Sequence, residues 1–282
     1  MTGTWQEAAS RLKVAAQAKT WRRFRVERTI EESSTIRSLH LAPVDKEALI
    51  PHLAGQHLPI RFTDGTDIIR RSYTISSAPS DGFYRLSVKR EGRASTLLHK
   101  MREGDEIEAL SPSGAFTIDA TERTRPAVLL AAGIGITPLL SMLRHVVHTG
   151  DRTRYRRQVW LFRSSRTSAE RAFDREIGEL VARSEGTVRD IKVLGAPDVE
   201  SDGLFDAVGR IDMTLLKAHL PFGDYDFYIC GPSSFMQSMY DGLRGLNIAD
   251  GRIHAEAFGP SGLKRDYAVD VSAKPRKPAH SV

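Results

Sequence analysis

The pattern of apolar residues changes character near residue 123, and this change constrains the fold more than any other feature. Before it, seven short runs of β-favouring residues are separated by turn sequences such as TDGTD, PSDG, REGD and SPSG. After it, five apolar runs alternate with four segments of helical periodicity. Short, regularly spaced strands favour an antiparallel barrel or sandwich, whereas strand–helix alternation favours a parallel sheet covered by helices.

The change predicts two units in one chain. The first is an antiparallel β-barrel over residues 21–123, with one helix, ASTLLHKMRE, and a last strand GAFTI at 114–118. The second is an α/β parallel-sheet domain over residues 124–260, whose predicted helices include SAERAFDREIGELVARS at 168–184. Residues 1–20 are predicted to form a basic N-terminal tail and residues 261–282 a linker or tail.

Composition excludes several kinds of protein. The 282-residue chain has one cysteine, Cys230, so we predict no intramolecular disulfide, no iron–sulfur centre and no metal site. No apolar run approaches the roughly 18–20 residues of a membrane span and the N-terminus lacks a signal-peptide core, which predicts a cytoplasmic protein. The net charge of +6 lies mostly at the two ends, as solvated tails or a patch for an acidic partner. Because no aromatic residues interleave the basic ones, nucleic acid is not an expected partner.

The segment AVLLAAGIGITPLLSMLRHVV, residues 127–147, predicts a strand, a tight glycine turn and a helix. It lacks the Gly-Lys-Ser/Thr ending of a P-loop and the third glycine of the usual dinucleotide fingerprint. Gly133 and Gly135 allow close approach of backbone to a ligand, Thr137 can cap the helix, and Pro138 suits its first turn. Exposed amides and the helix dipole would favour a pyrophosphate, although a plain structural turn stays an alternative.

Two stretches of the predicted barrel carry further candidates. In IIRRSYTISSAP, Arg71 and Tyr73 should share one strand face, where arginine can bind a pyrophosphate and tyrosine can lie against an aromatic ring. The alternative is a cross-strand pair on a solvated face. In SVKREGRASTLLHK, Ser95 and Thr96 predict an anion site at a helix N-terminus, or simply a capped helix.

A third stretch, DFYICGPSSFMQSM, places Cys230, Gly231 and Pro232 between a strand and a helix. A lone buried cysteine usually serves packing, but one at a strand end can also line a ligand pocket. No histidine or aspartate partner is evident in the sequence, so we do not predict a nucleophilic cysteine.

In this order and spacing, these stretches resemble the ferredoxin–NADP reductase superfamily, and most closely its bacterial flavin reductase modules of the phthalate dioxygenase reductase and flavohaemoglobin reductase-domain types. RSYT resembles the family's flavin motif, GRAST occupies its flavin-phosphate position, GIGITP resembles its nicotinamide-nucleotide turn, and CGP its Cys-Gly motif. HAEAFGP resembles its closing Glu-x-Phe segment. The resemblance covers about residues 21–260.

The resemblance implies a flavin-binding barrel, hydride transfer from nicotinamide to flavin, and single-electron transfer to an acceptor. It implies catalytic roles beside the flavin and nicotinamide for Tyr73, Thr74, Cys230, Glu256 and Phe258. It implies flavin contacts for Arg71, Ser72, Tyr73, Thr74, Val88, Lys89, Arg90, Gly92, Ser95, Thr96 and Phe258. It implies nucleotide contacts for Gly133, Ile134, Gly135, Ile136, Thr137, Pro138, Arg163, Arg166, Cys230, Gly231 and Pro232.

The identity of each cofactor stays partly open at this point. Arg71 with a Ser-Thr pair suits a pyrophosphate, which favours FAD over FMN. NADPH users of the family commonly carry a Ser-Arg pair where this chain has GAPD at 195–198, which favours NADH. Arg163 and Arg166 lie near the same region and keep NADPH open as an alternative.

The electron acceptor is expected to be a separate redox protein or domain, of the 2Fe–2S ferredoxin type or another kind. The resemblance of KPAHSV to a linker leading into such a domain suggests that this chain is a fragment of a longer fusion, or that its partner is separate. A non-catalytic flavin- or nucleotide-binding sensor, or an interaction module, is the alternative function.

Overall fold

The computed structural model describes residues 20–197, 201, 203–258 and 262–265. The predicted basic tail at 1–20, apart from Thr20, and most of the predicted C-terminal tail therefore lie outside the described residues. Among the helices that are described, none combines the length and apolar character needed to cross a bilayer.

The first sheet is the antiparallel barrel that the sequence predicts. Its strands are β1 (Arg22–Glu31), β2 (Ile36–Pro43), β3 (His57–Asp64), β4 (Asp67–Thr74), β5 (Tyr84–Lys89) and β6 (Glu106–Ala109). They follow the order β4-β3-β6-β1-β2-β5, and each neighbouring pair runs antiparallel. The two edge strands approach each other where Ile75, just after β4, forms a bridge with Leu86 of β5, so the sheet curls toward closure. Helix α1 (Arg93–Lys100) follows β5.

The predicted last barrel strand, GAFTI at 114–118, is wrong. Only the preceding Ser113 forms a bridge, with His57. Phe116 and Ile118 are buried in a core cluster together with residues of the parallel sheet and its helices. The alternating apolar residues thus pack one unit against the other, and this role produces the same pattern as strand pairing.

The second sheet is parallel throughout, in the order β10-β9-β8-β7-β11-β12, as the strand–helix alternation predicts. Its strands are β7 (Ala127–Ala132), β8 (Val159–Ser165), β9 (Val188–Leu194), β10 (Ala207–Val208), β11 (Asp226–Cys230) and β12 (Ile253–Glu256). Its helices are α2 (Ile136–Thr153), α3 (Asp174–Arg183), α4 (Met213–His219) and α5 (Ser233–Gly245). The two-residue strand β10 was not predicted.

Helix α3 begins six residues later than the periodicity of 168–184 predicts. Phe173, the residue before it, has φ +67°, a left-handed conformation that cannot continue a right-handed helix. Its ring is buried in the core, and Arg85 of the barrel lies over it at 5.3 Å from the ring centroid. A tertiary contact thus sets the start of this helix.

The strand order reverses at the centre of the parallel sheet. The chain runs from β7 outward through β8, β9 and β10, then returns to place β11 on the other side of β7. Ligands of open α/β sheets bind at such a switch point, beyond the carboxyl ends of the strands. Here the turn at Gly133–Gly135 follows β7 and Gly231 follows β11, so both glycine turns lie at this crevice.

Candidate functional site

A cavity of about 330 Å³ lies where the barrel meets the first turn of α2 and the end of β12. We call it the Tyr73 pocket. Its walls come from β3, β4, β5, α2 and β12, so it forms only when both units are in place. The lining residues are His57, Ser72, Tyr73, Thr74, Ser87, Lys89, Glu91, Ile134, Thr137, Glu256, Ala257 and Phe258.

A second cavity of about 620 Å³ follows the carboxyl ends of the parallel strands. We call it the Gly133 groove. Lys89 and Ile134 line both the groove and the Tyr73 pocket, so the two cavities are contiguous. The remaining groove residues are Thr35, Ile36, Ala132, Gly133, Ser164, Ser165, Arg166, Glu170, Gly195, Ala196, Gly209, Arg210, Ile211, Pro232, Ser234, Phe235 and Ser238.

Two buried polar atoms in the wall of the Tyr73 pocket lack a protein partner. Thr74 Oγ1 and Glu256 Oε2 have no hydrogen-bond partner among the described residues. An unsatisfied buried polar group costs roughly 1–3 kcal/mol, so two in one wall indicate that a ligand completes them. With the half-buried Tyr73 ring beside them, they suit a flat aromatic ligand with a polar edge, and therefore fit a flavin.

The polar side of this pocket is held by a short series of contacts. Glu256 Oε1 lies 3.8 Å from His57 Nδ1, and the His57 Nε2 lies 3.1 Å from Ser113 Oγ. A Cβ at Gly114 would lie only 3.0 Å from His57 Nδ1, so the glycine permits this ring position. Burial raises the pKa of Tyr73 while the nearby charge of Arg71 opposes that rise, so the phenol stays neutral.

Strand β4 does not bring Arg71 and Tyr73 into one cavity. Arg71 is exposed, donates from Nη1 to the carbonyl of Arg70 at 2.7 Å, and lines a shallow hollow that includes Trp21 and Leu110. Ser72 borders both this hollow and the Tyr73 pocket. Contact of Arg71 with a flavin pyrophosphate therefore stays a prediction.

Strand β5 differs from the predicted flavin contacts at two residues. Val88 is 1% exposed and packs inside the barrel, so its side chain cannot lie along a ligand in the pocket. Strand alternation instead turns Ser87 and Lys89 toward the pocket. Ser87 was missed, although the alternation of YRLSVK with its apolar inner face would have indicated it. Arg90 is exposed just beyond the strand.

Before α1, where a phosphate site is predicted, the Ser95 side chain caps the helix. The Ser95 hydroxyl accepts from the amides of Glu91 and Gly92 at 2.9 and 3.0 Å, and donates to the Gly92 carbonyl. Its hydrogen-bonding capacity is therefore used within its own turn, which contradicts a phosphate role for this side chain. The Thr96 amide continues the helix by donating to Gly92, and exposed Gly92 is the N-cap.

The residues of the glycine turn after β7 differ in their surroundings: some line the groove and others are packed in the core. Gly133 has φ +56° with open space around its missing Cβ, and it lines the groove together with Ile134. At Gly135, by contrast, a Cβ would lie 2.1 Å from the Cys230 carbonyl oxygen, so this glycine permits close packing against β11, and its contact with a nucleotide stays a prediction. The side chains of Ile136 and Pro138 are buried in the packing of α2, and their predicted nucleotide contact stays a prediction.

Thr137 does not cap α2 as predicted. Helix α2 begins at Ile136 with Gly135 as N-cap, and the Thr137 hydroxyl donates to the Ile134 carbonyl at 3.0 Å. Thr137 also lines the Tyr73 pocket, so it joins the turn to the flavin side of the site rather than to the groove.

Cys230 is completely buried, in the core cluster between the two units. Burial raises the pKa of its thiol well above the usual range, and the charge of Glu256 adds to the rise. The thiol is therefore neutral, which favours the packing alternative, and a contact of Cys230 with the nicotinamide stays a prediction. Gly231 has φ +159° and is buried, whereas Pro232 lines the groove.

The two arginines that kept NADPH open have different positions. Arg163 is 3% exposed, and its guanidinium binds both oxygens of Asp190 at 2.8 Å and also pairs with Asp174. It is therefore a structural residue and cannot meet a 2′-phosphate. Arg166 is exposed and lines the groove, as does Arg210, which no sequence pattern had indicated. Asp198 of the GAPD segment lies outside the described residues.

Comparison with known proteins identifies both units. Residues 23–118 match the family model "Oxidoreductase FAD-binding domain" and residues 129–241 match "Oxidoreductase NAD-binding domain". The flavohemoprotein of Bordetella pertussis is 36% identical over 254 residues, which cover 86% of this chain and 62% of that protein. The chain thus spans about three fifths of the length of the curated relatives it matches.

Solved structures agree with this identification. The flavohem-like FAD/NAD-binding domain of nitric oxide dioxygenase from Vibrio cholerae superimposes with a TM-score of 0.74 and 31% identity, covering 85% of this chain and 99% of that domain. The flavohemoglobin of Malassezia yamatoensis, with bound FAD and heme, gives a TM-score of 0.72 and 27% identity, covering 90% of this chain and 66% of that one. The Tyr73 pocket, the Gly133 groove and these likenesses lead to one assignment. The chain belongs to the ferredoxin reductase-like family of FAD- and NAD-binding oxidoreductases, the FAD-dependent NAD(P)H reductases.

Proposed function

We propose that this chain takes hydride from NADH onto FAD bound in the Tyr73 pocket and passes single electrons to a separate redox centre. The observation that carries the proposal is the contact between the two cavities. A dinucleotide in the Gly133 groove can reach the Tyr73 pocket past Lys89 and Ile134 without leaving the protein surface. Such placement converts a bimolecular hydride transfer into one between two oriented partners.

The residues of the Tyr73 pocket bind and orient. When bound, the flavin supplies a two-electron acceptor that can release electrons singly. The Tyr73 ring packs against it, and the Thr74 hydroxyl and the Glu256 carboxyl offer hydrogen bonds from the two atoms that lack protein partners. Phe258, 43% exposed at the same pocket, covers the mouth and limits access of water.

The groove residues hold the nucleotide. The Gly133 turn offers backbone amides close to the N-terminus of α2, an 18-residue helix whose dipole favours a pyrophosphate. Gly195 and Ala196 form an uncharged wall farther along the groove, which supports NADH. Arg166 and Arg210 line the same groove, and they favour NADPH as the second candidate because a 2′-phosphate could meet them.

The acceptor is proposed to be a protein-bound metal centre. The relatives include flavohemoproteins, which are longer than this chain, and the Malassezia flavohemoglobin has bound FAD and heme. A heme acceptor, in a separate domain or protein, is therefore our first candidate, and a 2Fe–2S acceptor is the second, because the phthalate dioxygenase reductase structure is also similar at 25% identity.

Anaerobic titration tests the proposal. NADH should bleach the visible flavin band in one stoichiometric step, and NADPH should bleach it more slowly at equal concentration. Ferricyanide, a one-electron acceptor, should then reoxidise the flavin and restore the band. Flavin that binds but is bleached by neither nucleotide would establish the sensor alternative instead.

A matched pair of variants assigns the pocket. Thr74→Val removes the unpartnered hydroxyl, whereas Thr63→Val alters an exposed threonine on the neighbouring strand β3. Bleaching should slow about tenfold in Thr74→Val, because the flavin loses one or two hydrogen bonds that orient it. It should stay unchanged in Thr63→Val.

A further inference from the structure

Four charged side chains join the barrel to the α/β unit beside the site, and we call them the bridging network. They are Asp81 and Arg85 of the barrel and Arg144 and Glu176 of the α/β unit. Arg85 donates from both terminal nitrogens to Glu176 at 2.7 and 3.1 Å. Arg144 also binds Glu176 and donates to Asp81 at 2.9 Å, so the chain of contacts crosses between the units twice.

The network is largely withdrawn from water. The side chains of Arg85 and Asp81 are 5% and 7% exposed. Arg85 and Arg144 together lower the pKa of Glu176 despite its burial, so the acid is a carboxylate. Buried ion pairs add little net stability because desolvation offsets their attraction, but they fix geometry and are costly to break singly. Four buried charged residues at this boundary therefore indicate a role in positioning the two units rather than in raising the free energy of unfolding.

The elements that carry the network also carry the site. Arg85, Ser87 and Lys89 point to one side of β5, and the last two line the Tyr73 pocket. Thr137 and Arg144 lie seven residues apart on α2, about 10 Å along the helix, and Thr137 lines the same pocket. Because a strand and a helix are rigid, fixing Arg85 relative to Arg144 fixes the pocket walls of β5 relative to those of α2.

A second link joins the network to the pocket wall. Arg85 Nε donates to the Ser76 hydroxyl at 3.0 Å, and the Ser76 and Ser87 hydroxyls share a hydrogen bond of 2.7 Å. The Ser87 hydroxyl shares another with Ser38 at 2.7 Å. All three serines are buried. Arg85 is therefore linked through the Ser76 hydroxyl to Ser87, whose side chain lies in the pocket wall.

We propose that the bridging network of Asp81, Arg85, Arg144 and Glu176 is a positioning device that sets the distance between flavin and nicotinamide by locking β5 to α2. The inference rests on the proposed function, because it concerns the alignment of the same two cavities. None of the four residues lines the Tyr73 pocket or the Gly133 groove, so each acts through other residues.

Glu176→Gln tests the network with a matched control. The substitution leaves Arg85 and Arg144 without their shared anion. Glu108→Gln removes a similar bidentate partner, since Arg61 donates to Glu108 at 2.7 and 2.9 Å, but that pair lies within the barrel. At saturating NADH we expect flavin reduction to slow about 10- to 100-fold in Glu176→Gln, the cost of a misplacement of about 1 Å. The control should stay within about twofold of the wild type, because this pair is partly exposed to water and makes no contact across the boundary between the two units.

Two further readouts separate positioning from general damage. The nicotinamide–flavin charge-transfer absorbance should weaken in Glu176→Gln while FAD remains bound. Hydrogen exchange should rise at the Ser34 amide, which donates to the Ala169 carbonyl across the same boundary, and not at strands β7 and β11. Unchanged reduction and unchanged Ser34 exchange would overturn the inference, as would slowing that merely parallels loss of FAD or exchange throughout the chain.

A milder variant covers the case in which Glu176→Gln does not fold. Arg85→Lys keeps the charge, but a single ammonium cannot contact Glu176 through two nitrogens and also donate to Ser76 as the guanidinium does. It should slow flavin reduction several-fold with little change in KM for NADH, and a wild-type rate would refute the inference. Failure of NADH to bleach the wild type would refute the proposed function alone, because Ser34 exchange still reports on the network.

Discussion

Gly135→Ala should damage both the stability and the chemistry of this protein, although the backbone at this position suits alanine. Gly135 has φ −59° and ψ −9°, which any residue can adopt. The obstacle is steric. An added Cβ would lie 2.1 Å from the Cys230 carbonyl oxygen, 2.4 Å from its carbon and 2.7 Å from the Gly231 nitrogen. All three are backbone atoms of the neighbouring strand, so no side chain can rotate away.

The size of the effect follows from this geometry. The turn must move about 0.9 Å from β11 to bring the nearest contact from 2.1 to 3.0 Å, the shortest that real Cβ atoms show. Overpacking of a tight core costs typically 1–3 kcal/mol, and three backbone contacts put this case near 3 kcal/mol. For a chain of this size that lowers Tm by roughly 9 °C. The same movement displaces Ile134 at the junction of the two cavities, so flavin reduction by NADH should slow about tenfold or more.

Gly133→Ala is the matched control. Its Cβ would meet nothing within 4 Å, but φ is +56°, so the cost is conformational, about 1–2 kcal/mol. It should raise KM for NADH, because the new methyl projects at the groove, with a smaller loss of stability. Urea unfolding and stopped-flow reduction measure both quantities. A Gly135→Ala protein as stable as the wild type would refute the claim that close packing against Cys230 demands this glycine.

Four shorter predictions concern single side chains. Thr74→Val should leave the urea midpoint unchanged or raise it, because the hydroxyl has no hydrogen-bond partner among the described residues, and a lower midpoint would contradict this. A thiol reagent should label Cys230 only after unfolding, since the thiol is buried and its pKa is raised; labelling of the native protein would refute its assigned burial. Burial lowers the pKa of His40 to about 4. Protons therefore bind the unfolded chain more readily, and the folded state loses stability as pH falls from about 6.5 toward 4. In His40→Gln the urea midpoint should depend less on pH over that window, and an equally steep dependence would count against this assignment. Arg163→Met should lower the urea midpoint, whereas Arg166→Ala should change only the KM for the nucleotide. The reverse pattern would show that Arg163 binds the nucleotide.

Local periodicity was sufficient to predict the two sheets. The strands β7, β8, β9, β11 and β12 were all predicted, and the signal is clearest for β7, β8 and β11, which are buried, nearly continuous apolar runs. GAFTI was misassigned for the converse reason. Phe116 and Ile118 alternate as a strand would, but they pack against the α/β unit, and no local pattern separates these two uses of apolar residues.

Motifs located the site but did not assign its side chains. RSYT and GIGITP led to the Tyr73 pocket and the Gly133 groove, whereas burial decided between ligand contact and packing at each position. Gly135 and Gly133 look equivalent in the sequence, yet the first faces Cys230 and the second faces open space. Such a distinction depends on which strand comes to lie beside the turn, and strand order is a property of the whole chain.

The bridging network shows most clearly what local sequence patterns omit. Arg85 and Glu176 are 91 residues apart, and charged residues at either position resemble ordinary surface positions of a strand and a helix. Their burial follows only from docking of the two units, which also creates the Tyr73 pocket. Docking removes these charges from water, so each must be paired with an opposite charge. The resulting ion pairs also fix the junction between the units, where Lys89 and Ile134 line both cavities. A reductase built from two packed sheets needs such a fixed junction, since hydride transfer depends on distance far more steeply than folding does.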